Sequence, residues 1–127
     1  MRFMTKKMSL VRELIKLKRG IMEDLIAKSL NLIDLVDYAK GAVVSKQIIK
    51  EEKGNVTLFA FDQGEGLSEH TAPFNALVYI VDGVSEVIIE GNSHNLSKGQ
   101  MIIMPANKPH ALKAIERFKM LLVMIRA

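Results

Sequence analysis

The chain has 127 residues, 49% hydrophobic and 6% aromatic, with eight methionines and no cysteine. That suffices for one domain with an aliphatic core, and it excludes a disulfide, a thiolate metal site and a cysteine nucleophile. The formal charge of +4 is uneven, because residues 1–21 carry seven bases against one acid, leaving eleven bases and thirteen acids for the remainder, a net −2; nucleic-acid binding by the folded part therefore has no electrostatic support.

In chain order, residues 1–21 form a basic extension in which Met8, Val11, Leu14 and Ile15 recur at helical spacing. It reads as a solvated amphipathic helix, as a membrane-surface helix, or as a translated leader. Lys18-Arg19-Gly20-Ile21-Met22 can be encoded by a purine-rich run just before a start codon, which would make Met22 the first residue. Charges interrupt every apolar stretch here, so a secretory signal is not expected. No run of about 18 apolar residues offers a membrane span. The expectation is a cytoplasmic protein with no membrane partner.

Residues 22–127 read as a single domain. Leu25, Ile26, Leu30, Ile33 and Val36 predict a short helix or turn before Gly41. Strands follow over 42–50 and 56–62, separated by a turn at Lys53-Gly54-Asn55. VTLFAFD is apolar on both faces, which predicts a strand buried between two sheets. After the Gln63–Gly66 loop and Pro73, strands are predicted over 76–81, 84–90, 93–96, 101–104, 110–116 and 118–126. Asp82-Gly83, Gly91-Asn92 and Lys98-Gly99 supply the turns. Eight or nine short strands at this spacing predict an all-β sandwich or barrel.

Two stretches carry more. GEGLSEHTAPFNALVYIVDG, from Gly64 to Gly83, has Gly64, His70 and Gly83 where the first cupin motif has Gly, His and Gly. GQMIIMPANKPH, from Gly99 to His110, has Gly99, Pro105 and His110 where the second motif has Gly, Pro and His. The chain thus resembles the cupin family over roughly 34–125. Ala72 stands at the second His position, Ala76 at the Glu position, Asn107 at a Gly position and Ala114 at an Asn position. Asn is among the few residues besides Gly that tolerate a left-handed backbone. The resemblance implies a double-stranded β-helix, or jelly roll, to which the helical spacing near the N-terminus adds a short helical extension. It also implies a homodimer, and the strands that are apolar on both faces point the same way.

In cupins the two motif-one histidines, the glutamate and the motif-two histidine hold one divalent metal. Here only His70 and His110 occupy those positions, so the resemblance implies at most a weakly held divalent transition metal, largely water-bound. Asn75 is a further candidate ligand. The bland alternative has His70 and His110 bonding each other, a water or a small molecule. His94, in GNSHNL, is expected at the surface. Met101, Met104, Met120 and Met124 are expected to line one end of the barrel or to fill its core. No nucleophile elbow, Gly-rich phosphate loop or helix-turn-helix is present. The function expected is binding of a small-molecule ligand at His70, Asn75 and His110 without catalysis. The alternative is a metal-dependent cupin enzyme, of dioxygenase or isomerase type, with a reduced ligand set.

Overall fold

A computed structural model describes residues 24–127. The basic segment 1–21 and Met22, with the readings attached to them, lie outside the described residues. The chain divides into two units, Met1–Leu30 and Asn31–Ala127. In the first, Asp24 and Leu25 are helical, and Ala27, at φ +59°, takes the left-handed conformation that ends helices. No helix of the described residues is long and apolar enough to cross a membrane.

The second unit is all-β. One turn of 3-10 helix, Leu32–Asp34, precedes nine strands: β1 Val43–Glu51, β2 Gly54–Phe61, β3 Gly66–His70, β4 Phe74–Asp82, β5 Val84–Ile89, β6 Asn92–Ser97, β7 Met101–Met104, β8 His110–Ala114 and β9 Phe118–Arg126. They form two antiparallel sheets, ordered β1-β2-β9-β4-β7 and β3-β8-β5-β6. This is the jelly roll that the resemblance implies. The main core lies between the inner faces. Phe61 and Phe118 stack there with ring centroids 4.5 Å apart, among Val78, Ile80, Val87, Leu112 and Met120.

Four expectations change against the structure. The Leu25–Val36 periodicity does not give one continuous helix: Asp24 and Leu25 are helical, Ile26 and Leu30 are exposed, and the 3-10 turn Leu32–Asp34 leads into a strap whose apolar residues pack on a sheet. Leu35, Val36 and Tyr38 cover Leu58, Ala60, Val44, Val81 and Leu121 on the outer face of the five-stranded sheet. VTLFAFD is therefore not enclosed by two sheets; one of its faces meets the core and the other meets the strap. The third change is at Gly54, predicted in a turn but found in β2. A Cβ there would press on the Met124 carbonyl of neighbouring β9, so this glycine serves strand approach. Lastly, Met101 is exposed on the outer face, whereas Met104 and Met120 are buried in the core with Met124 packed against them.

Polar contacts hold the strap. Tyr38 Oη donates to Asp82 Oδ2 at 2.6 Å, and the Arg117 guanidinium and Lys119 ammonium lie 4.6 and 4.9 Å from the Tyr38 ring centroid. Burial first, and then the Asp82 carboxylate that accepts its hydrogen bond, push the phenol well above its ordinary range. The Lys119 amine, on a side chain just 7% exposed, donates to the Ile33 carbonyl at 2.6 Å. At Asp82-Gly83 the hairpin turn forms as predicted. Gly83 has φ +77°, and a Cβ would collide with the Arg117 carbonyl, so no other residue fits.

Candidate functional site

Two neighbouring strands of the four-stranded sheet set the site. In regular alternation from the Leu67–Leu112 pair, Glu69 would stand opposite His110. The register instead shifts between Leu67 and His70, and His70 pairs directly with His110. The extra residue in β3 brings an imidazole, in place of a carboxylate, to the partner histidine. On β8, His110 is 5% exposed, whereas His70 is exposed to solvent.

The rings meet edge to face, with centroids 4.4 Å apart and their Nε2 atoms 3.1 Å apart. His70 Nδ1 lies 2.6 Å from the Ser68 carbonyl oxygen and His110 Nδ1 lies 3.1 Å from that of Lys108. A carbonyl oxygen can only accept, so each Nδ1 carries its ring's proton and each Nε2 presents a lone pair. Two lone pairs therefore face one another across 3.1 Å. Such a pair is closed by something both can donate electrons to, a proton or a metal ion. Burial, reinforced by the neighbouring His70, holds His110 below the ordinary imidazole range, against the opposing pull of the Lys108 carbonyl.

Two nitrogens each about 2.1 Å from one ion lie about 3.0 Å apart at right angles and about 3.4 Å apart at a tetrahedral angle, so the 3.1 Å separation falls within the range for two ligands of one ion; the Nδ1–H contacts to backbone carbonyls give the ring fixing that metal-binding histidines show. The rest of the family's ligand set does not fit. Ala72 and Ala76 have no donor atoms, and Ala76 is 4% exposed within the core. Among the described residues no third His, Cys, Asp or Glu joins the pair. His70 and His110 thus occupy two of the four positions at which cupins carry metal ligands, and alanines occupy the other two.

Asn75 is exposed, and its side-chain oxygen is engaged by the backbone. Its Oδ1 accepts from the Ala106 N–H at 3.0 Å, while the Asn107 N–H donates to the Ala72 carbonyl at 2.8 Å. These two bonds fasten the β7–β8 loop to the start of β4, and that loop carries Lys108, the acceptor for His110 at the start of β8. Strand alternation explains the placement, since Asn75 is out of phase with the inward Ala76. Asn107 has φ +64°, the left-handed backbone expected for a residue at a glycine position. His94 is exposed on β6. Sequence reasoning missed the carbonyls of Ser68 and Lys108. Their positions, each two residues before a histidine, acquire meaning only once the rings' orientations are known.

A family model for the cupin domain matches residues 57–125, more than half of the chain. The chain belongs to the cupin family. This cupin is similar to a conserved protein of unknown function from Streptococcus pyogenes, 35% identical with a TM-score of 0.77 over 80% of this chain and 89% of that one. It is also similar to a cupin 2 conserved barrel domain protein from Leptotrichia buccalis, 37% identical with a TM-score of 0.74 over 76% of this chain and 47% of that one. A cupin superfamily protein from Desulfitobacterium hafniense is 26% identical, with a TM-score of 0.76 over 80% and 93% of the two chains. No curated protein matches the chain.

Proposed function

We propose that this cupin is a non-catalytic binding barrel for a small molecule, anchored at the His70–His110 pair with the help of a loosely held divalent ion. The observation that supports the reading is the convergence of two Nε2 lone pairs at 3.1 Å in a chain that has alanines at the family's other two ligand positions. An ion held by His70 and His110 would supply positive charge to a polar ligand group. The residues themselves orient and bind; Ala76 stands where the family's ligand glutamate would, which weighs against the enzyme alternative.

Zn²⁺ is expected to bind the full chain weakly and to be lost on dialysis, and His110→Ala is expected to abolish the uptake. Protons compete for the His110 Nε2, so uptake should fade as pH falls towards that imidazole's depressed range. The depressed His110 carries the same sign into stability. Its contribution is present above the unfolded-state value of about 6.5 and is lost as pH falls towards its lower folded-state value. Calorimetric titration across pH measures the uptake. A stoichiometric, dialysis-resistant ion in protein purified without chelator would overturn this reading in favour of a metal-dependent enzyme.

We also propose a homodimer of cytoplasmic cupin chains. Beyond the strap, the outer face of the five-stranded sheet leaves Tyr79, Met101, Ile103 and Ile125 exposed, with Tyr79 opposite Met101 and Leu77 opposite Ile103 in the ladder. Edge strand β7, reading MIIM, carries no charge to keep another strand away. Light scattering at micromolar concentration should give a dimer mass for the natural chain and a monomer mass for Ile103→Glu. A monomer for both would remove the proposal.

A further inference from the structure

The ladder registers put an apolar row across the outer face of the five-stranded sheet. Ile49 stands opposite Val56, Val56 opposite Val123, Val123 opposite Leu77 and Leu77 opposite Ile103, so the row touches every strand of that sheet. Strands lie about 4.8 Å apart, which makes the row about 19 Å long. Its two ends are open, with Ile49 44% and Ile103 56% exposed. The strap packs one row away, on Leu58 and Leu121. Two charges flank the row on β1. Lys46, opposite Leu58, stands one row to one side of it, and Glu51, opposite Gly54, one row to the other. Among the described residues Lys108 and Glu90 form an ion pair, and Lys46 and Glu51 form none.

We propose that this row is the centre of a face-to-face contact with a second copy of the chain, and that the two-fold axis runs along it. The proposal rests on the homodimer reading above and specifies its interface. Rotation about the row lays each flank of one protomer over the opposite flank of its partner, strand for strand. Lys46 then meets Glu51 of the partner subunit, and Glu51 meets the partner subunit's Lys46. Ile49 and Ile103, lying on the axis, each meet their own counterparts. An axis along the strands would instead press Lys46 against the partner subunit's Met101, because Met101 ends the row that Lys46 begins. That would bury an ammonium without a partner. The axis along the row gives an uncharged centre with paired charges at its rim, the usual layout of a protein interface.

The chain has no cysteine, so single cysteines report the axis. In the full chain, Ile49→Cys and Ile103→Cys, both at exposed positions, should each be joined to its own copy by a short bismaleimide, giving a dimer band on a denaturing gel. Light scattering on dilution at low salt should show Lys46→Glu and Glu51→Lys each weakening the dimer several-fold, and the double exchange restoring it. Linking of Ile103→Cys alone would put the contact at the β7 edge. Linking only in a mixture of the two cysteine variants would put the axis along the strands. A dimer that shows neither link, or a double exchange as weak as the single ones, would put the contact elsewhere. Each of these results overturns this inference and leaves the homodimer standing. A monomer mass for the natural chain overturns the homodimer and this inference together.

Discussion

The double variant Ala72→His, Ala76→Glu is expected to bind Zn²⁺ at least about 100-fold more tightly than the natural chain, since it completes a four-ligand set around the existing pair. Without metal the same variant should be markedly less stable. Ala76 is 4% exposed, between Met104 and Met124 in the ladder. A glutamate there is a buried charge without a partner, a defect worth about 3–5 kcal/mol. Zn²⁺ at about a thousand times its dissociation constant returns about 4 kcal/mol by mass action. Thermal unfolding in chelator and in Zn²⁺ should therefore separate widely for the variant and barely for the natural chain. An unchanged affinity would mean that positions 72 and 76 do not face the histidines.

Phe118→Ala is expected to cost about 3–5 kcal/mol, the range for removing a large buried aromatic. The ring is fully buried and stacks on Phe61 at an interplanar angle of 7°. The two residues are also direct partners in the β2–β9 ladder, so the loss falls on neighbouring strands as well as on the core. The stacked contact itself accounts for about 0.5–1.5 kcal/mol of coupling. Urea unfolding of Phe118→Ala, Phe61→Ala and the double variant measures both quantities. A loss below about 1 kcal/mol for Phe118→Ala would show that the site collapses around the deletion.

Much of this fold was legible in the residues alone. Gly, Pro and Asn punctuate the chain, and the alternation between them places strands within about two residues of β1, β2 and β4 to β9, because turn chemistry and pleat period are local properties; no bounds are predicted for β3. The offsets of His70 and His110 from their motif glycines marked both as site candidates, and Asn107 marked a left-handed position. What local chemistry could not determine depends on contacts between distant segments. Helical spacing in Leu25–Val36 does not reveal that Leu35, Val36 and Tyr38 lie across a sheet. That the Asn75 oxygen accepts from the Ala106 N–H, 31 residues away, is likewise not readable from either segment alone. Above all, strict alternation from Leu67 would have brought Glu69 to His110. The register shift in β3 brings His70 instead, and a bulge is settled by how two strands pair rather than by either strand's own sequence.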